Sequence, residues 1–135
     1  MTEPQGLVLD DLGGWRRSHT CGELRRSHAG ASATLMGWVH RVRDHGGVLF
    51  VDLRDRHGLT QVVFRPETGG AALLERATRL GLEYVIAVRG LVAGRPAESR
   101  NAEMPTGEVE LDVRELKMLA AADPLPVLPS SEILA

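Results

Sequence analysis

Over residues 108–119, EVELDVRELKML, apolar and charged side chains alternate strictly. Val109, Leu111 and Val113 fall on one side, and Glu108, Glu110, Asp112 and Arg114 on the other. That period of two belongs to a strand with one buried face. Four further stretches read as strands: TLMGWVHRVRD (34–44), GVLFVDLRD (47–55), LTQVVF (59–64) and EYVIAVRGLVAGR (83–95). Turn chemistry separates the first three, with Asp44-His45-Gly46-Gly47 before the second and Arg56-His57-Gly58 before the third. Gly90 marks a bend or bulge inside the fourth. Helical spacing occurs twice. CGELRRS (21–27) predicts a short helix stopped by Gly30. AALLERATRLG (71–81) places Leu73, Leu74, Ala77 and Leu80 on one face, with Gly81 as its stop.

The expected order is therefore short helix, three strands, helix, two strands. This is the order of a mostly β, five-stranded OB-fold Greek-key barrel, which binds ligands on the face of its second and third strands. Residues 1–17 read as a flexible leader, 18–120 as the barrel domain, and 121–135 as a proline-punctuated, linker-like tail.

Alternation also sorts the inner strands. Leu49, Val51 and Leu53 form an aliphatic core face, which turns Val48, Phe50, Asp52 and Arg54 the other way. If Val62 and Phe64 face the core, Gln61 lies outward near Phe50. An outward phenylalanine either stacks a nucleobase or is covered by a loop, and Gln61 either reads a base edge or is solvated. Arg43 shares parity with Leu35 and Val39 and should point inward, unless a bulge re-aims it or it lies beyond the rim. Asp52, Arg54, Asp55 and Arg56 read as a salt-bridge strip beside a turn rather than an acid–base pair.

Composition narrows the class without deciding it. The 135 residues are 43% hydrophobic and 25% charged, with net charge −2, so overall charge does not announce a polyanion partner. Of the 16 cationic residues only Lys117 is a lysine. Arginine suits bidentate and stacked contacts, although a GC-rich genome would give the same bias. One cysteine, Cys21, permits no internal disulfide and points to a reducing compartment. No apolar run is long enough to span a membrane and the first residues lack a signal-peptide pattern, so the expected location is cytoplasmic, without a membrane partner. His19, His28, His40 and His57 show no metal-ligand spacing, and Gly46-Gly47 lacks the Lys-Ser/Thr of a phosphate loop.

GWVHRVRD, FVDLRDRHGLTQVVF and MPTGEVE occur here in that order. With the segments around them, from about Arg17 to Pro126, they closely resemble the N-terminal anticodon-binding domain of bacterial-type aspartyl-tRNA synthetase. The resemblance implies an OB barrel that binds a tRNA anticodon stem-loop. It implies that Phe50 stacks on an anticodon base, that Gln61 hydrogen-bonds the anticodon, and that Arg43 and Glu110 sit at it. Arg95 and Asn101 match positions near its backbone and bases. His45 matches a position where histidine accompanies enzymes that charge both tRNA-Asp and tRNA-Asn.

Val42, Ala93 and Ser99 depart from the family pattern, and each is expected to weaken attraction for phosphate. The parent activity, aspartate–tRNA ligase, needs a catalytic domain whose motifs are absent from these residues. No catalytic residue, cofactor or metal is expected here, because ATP and magnesium would belong to that domain. A free-standing paralogue that binds tRNA or single-stranded nucleic acid in trans is the alternative, and an OB barrel turned to protein contact is a third reading.

Overall fold

The computed structural model describes residues 9–121. Five strands close a barrel: β1 (Ser32–His45), β2 (Val48–Asp55), β3 (Gly58–Phe64), β4 (Val85–Gly94) and β5 (Val109–Ala120), in spatial order β1-β2-β3-β5-β4. All neighbours are antiparallel except β3 and β5, whose parallel seam rests on Val62↔Leu111 and Val63↔Asp112. Two short helices, α1 (Pro66–Gly69) and α2 (Ala71–Ala77), fill the connection from β3 to β4. This is the expected five-stranded OB architecture.

The turns follow from their residues. Gly46 and Gly47 have φ of 63° and 85°, the left-handed backbone that a primed two-residue hairpin requires between His45 and Val48. The β2–β3 turn lacks that glycine pair. There the Asp55 carboxylate accepts hydrogen bonds from the amides of His57 and Gly58 at 2.8 and 3.1 Å. The expected irregularity at Gly90 is also present, as a register shift between Arg89 and Gly90 where β4 meets β5. A Cβ at Gly90 would lie 2.1 Å from the Asp112 carbonyl oxygen, so the strands approach too closely for a side chain.

Both expected helices change. The one expected over 71–81 spans only Ala71–Ala77 and caps at Thr78, so Gly81 is not its stop. Residues 21–27 form no α-helix: Cys21–Glu23 are turns, and only Arg26–His28 make a single 3-10 turn. The reason lies in the barrel. The Cys21 amide donates to Asp55 at 2.9 Å, and the Cys21 carbonyl accepts from the Thr60 hydroxyl at 2.6 Å, which pins the first residue of the segment to β2 and β3. Cys21 and Leu24 are fully buried and close one end of the core. Burial pushes the Cys21 thiol well above its usual range, and the neighbouring Asp55 carboxylate adds to that.

The described part of the expected flexible leader is held rather than loose. The Asp10 amide donates to the Met118 carbonyl at 2.7 Å, and its carboxylate accepts from the Met118 amide at 2.8 Å and from Arg76 at 2.6 Å. Trp15 lies under the Arg89 guanidinium at 4.1 Å and near the Lys117 ammonium at 4.9 Å. Residues 1–8 and most of the expected tail, 122–135, lie outside the described residues. Among the described residues no helix is long and apolar enough to cross a membrane.

Candidate nucleic-acid interface

The outward face of β1–β2–β3 is assembled by one bulge. Trp38 and Val39 pair with Arg54 and Leu53, but the register then skips a residue, so that Arg41 pairs with Asp52 and Arg43 with Phe50. The extra residue, His40, is exposed. It inverts the parity of the rest of the strand: Arg41 and Arg43 turn outward and Val42 turns in against the core. The bulge thus resolves the direction of Arg43 and turns Val42 away from the outward strip. Its neutrality takes no charge from the outward strip, where Arg41 supplies the additional cation.

Cross-strand pairing lays this face out in three rows: Arg43–Phe50–Val63, Arg41–Asp52–Gln61, and Trp38–Arg54–Leu59. Beside the first two rows, under the β4–β5 loop, is a cavity of about 580 Å³. Arg43, His45, Phe50, Gln61, Arg95, Asn101 and Glu110 all line it. Sequence reasoning passed over Arg41, Arg65 and Met104, which also line it. Arg65 continues the outward parity of Gln61 and Val63, so its direction was readable; the β1 bulge hid that of Arg41.

Inside the cavity a chain of charge-assisted hydrogen bonds fixes Gln61. Arg43 donates to Gln61 Oε1 at 3.1 Å, Gln61 Nε2 donates to Glu110 Oε1 at 3.0 Å, and Arg65 donates to Glu110 Oε2 at 3.0 Å. Gln61 and Glu110 are only 5% and 4% exposed. Gln61 therefore points outward, as its parity requires, but sits at the bottom of a polar pit instead of being freely solvated. Arg43 also reaches Asp52 at 3.6 Å. Asp112, next along β5, takes Thr68 at 2.8 Å and Arg114 at 3.2 Å.

Phe50 is half-buried and not in the core cluster. The Arg43 guanidinium lies 5.6 Å from its ring centre, and the His45 ring stands edge-on at 6.5 Å. An aromatic face flanked by a cation is the arrangement on which nucleobases stack. Arg95, 7% exposed, donates to the carbonyls of Val109 at 3.1 Å and Ser99 at 3.0 Å, so it braces the β4–β5 loop. Desolvation lowers its pKa, opposed by the nearby carboxylates of Glu110 and Asp52. Asn101 accepts from the Glu103 amide at 3.0 Å, which leaves its NH2 group for another acceptor. Ala93 is the cross-strand partner of Glu110 at the rim.

The expected salt-bridge strip is not one. Asp52 pairs with Arg43, and Asp55 accepts from backbone amides, two in its own turn and one at Cys21. Among the described residues Arg54 and Arg56 have no carboxylate partner. No group of three or more His, Cys, Asp or Glu among the described residues could hold a metal.

Comparisons with known proteins agree with this geometry. A tRNA anticodon family profile, described as an OB-fold nucleic acid binding domain, matches residues 33–119. The chain is 53% identical over 111 residues to an "Aspartate--tRNA(Asp/Asn) ligase" of Parvibaculum lavamentivorans, covering 82% of this chain and 18% of that protein. It is 52% identical over 119 residues to the enzyme of the same name from Geotalea uraniireducens, covering 88% and 20%. Among solved structures, asparaginyl-tRNA synthetase from Pyrococcus horikoshii, complexed with asparaginyl-adenylate, aligns with a TM-score of 0.70 at 27% identity, covering 89% of this chain and 26% of that one. The chain thus spans about a fifth of the length of the curated relatives it matches. It belongs to the tRNA anticodon family of OB-fold nucleic acid binding domains, as a homologue of the N-terminal anticodon-binding domain of bacterial-type aspartate–tRNA ligases.

Proposed function

We propose that this domain binds the anticodon stem-loop of tRNA-Asp and tRNA-Asn, in the cytoplasm, for an enzyme that attaches aspartate to both. The observation that carries the reading is the convergence of Arg43, His45, Phe50, Gln61, Arg95, Asn101 and Glu110 on one cavity. In this reading an anticodon base stacks on Phe50, displacing or sharing the Arg43 guanidinium above it. Gln61 presents its remaining amide hydrogen and oxygen lone pair to a base edge. His45, at the mouth of the cavity, meets the anticodon position at which the two tRNAs differ. Support for the dual reading comes from the relatives, whose names specify both tRNAs. Ligation itself would be the work of a catalytic domain, with ATP and magnesium, and these 135 residues would need no cofactor of their own.

The test is a titration of tRNA-Asp and tRNA-Asn anticodon stem-loops, and of one with an unrelated anticodon, at two salt concentrations. Phe50→Ala should weaken the first two by about 1–3 kcal/mol, the usual value of one base–aromatic stack. A loss under about 0.5 kcal/mol, well below that stacking range, would remove Phe50 as the platform. Equal affinity for the unrelated loop would remove the assigned specificity.

A further inference from the structure

The third row of the outward face repeats the residue types of the first. In the first, the Arg43 guanidinium lies over the Phe50 ring, and in the third, Trp38 and Arg54 are register partners across β1 and β2. Trp38 lies between Gly37 and the buried Val39, is half-buried, and is not part of the core cluster, so its indole belongs to the outer surface. Leu59 completes the row on the far side of Arg54. Arg54 is four positions along β2 from Phe50, a distance of about 13 Å along the strand.

Two further observations connect the rows. A cleft of about 340 Å³ separates the β2–β3 hairpin, at Arg54, Arg56 and His57, from Met104 and Pro105 of the β4–β5 loop. Met104 also lines the first cavity, so the two hollows share a wall. Arg54 and Arg56 are exposed cations with no carboxylate partner among the described residues, whereas Arg43, Arg65, Arg76, Arg89 and Arg114 all have one. Two carboxylates lie at this cleft. Asp55 is committed to backbone amides, and Glu103 stands on the opposite wall. The attraction is thus confined to the hairpin side.

We propose that this third row is a second nucleotide-binding site, in which the Trp38 indole stacks a base outside the anticodon while Arg54 and Arg56 take phosphates beside it. The proposal rests on the anticodon reading of the first two rows, and extends the same RNA strand along β2. Its chemistry is that of single-strand binders, an aromatic for the base and unpaired cations for the backbone.

The 135-residue chain and the tRNA-Asp anticodon stem-loop serve as the test. Trp15 and Trp38 are the two tryptophans of the sequence, so Trp15→Phe leaves Trp38 as the sole indole reporter. RNA should quench its emission saturably, with a midpoint equal to that from an independent anisotropy titration. With both tryptophans in place, Arg54→Gln combined with Arg56→Gln should lower the slope of log K against log salt by about 1.4, two single-strand phosphates at about 0.7 each. Both arginines are exposed, so the fold should tolerate the change. Unchanged Trp38 emission at saturating RNA, or an unchanged salt slope, overturns the second site even where Phe50→Ala still weakens binding. If Phe50→Ala costs nothing, the anticodon reading fails and the extension falls with it.

Discussion

Gln61 is held in one of its two amide orientations by the charges on either side. Turning the amide over would set its oxygen against the Glu110 carboxylate and its NH2 against the Arg43 guanidinium, so both contacts would become repulsive. In the anticodon reading, the base edge therefore meets a side chain fixed in advance, and Arg65 maintains it by neutralising Glu110 from the far side. Arg65→Gln should cost about 1–3 kcal/mol of stability in urea, the penalty for stripping a buried acceptor of its partner. It should also narrow the affinity gap between cognate and unrelated stem-loops; a variant that loses stability while keeping the full gap would mean that Arg65 does not orient Gln61. The relay shows the limit of a sequence reading at this scale. Parity aims Gln61, Arg65 and Glu110 at the outer side of their strands. That Gln61 on β3 meets Glu110 on β5 follows from barrel closure, which parity within a single strand does not reveal.

At the scale of elements, the strands were legible and the places where they break step were not. Strict alternation located β5, β-forming runs bounded by turn residues located the other four, and the glycine pair located the first hairpin. The one-residue slip at His40 left no mark in composition, yet it decides that Arg41 and Arg43, and not Val42, face outward. The segment 21–27 has helical spacing, but Cys21 at its start is tied to Asp55 and Thr60, contacts at long sequence separation that override local propensity. The close β4–β5 crossing makes Gly90 irreplaceable. Gly90→Ala should lose about 1–3 kcal/mol by urea denaturation, because the opposing atom is backbone and cannot swing away. Asp55 supplies a pH test of the same scaffold. Burial raises its pKa, but amide bonds from Cys21, His57 and Gly58 outweigh that and hold it below the usual aspartate value. A lowered folded-state pKa means that the stabilisation is fully present above about pH 4 and is lost as pH falls through the folded value. Asp55→Asn should therefore be less stable by about 1–3 kcal/mol at neutral pH, and the two proteins should converge in acid melting curves.

For the molecule as a whole, a net charge of −2 is compatible with an RNA partner because the charge is unevenly placed. Acidic groups on the outward face are mostly tied to arginines or amides, and Arg41, Arg54 and Arg56, which have no carboxylate partner among the described residues, line the path a strand would take. Composition could not show this, since it sums over faces. The parallel seam between β3 and β5 carries a further consequence. Antiparallel ladders along most of their length hold every other junction, while only two residue pairs join these strands. The barrel should breathe there first, at a free-energy cost below that of global unfolding. Yet Gln61 and Glu110 face each other across this same junction. In the anticodon reading each opening would dismantle the site, so RNA would bind the closed form and suppress the opening. In hydrogen–deuterium exchange, amides of 61–64 and 110–113 should exchange faster than those of β1 and β2 in the free domain. They should also gain the most protection when the stem-loop binds. Uniform protection across the barrel would show that it opens only as one unit.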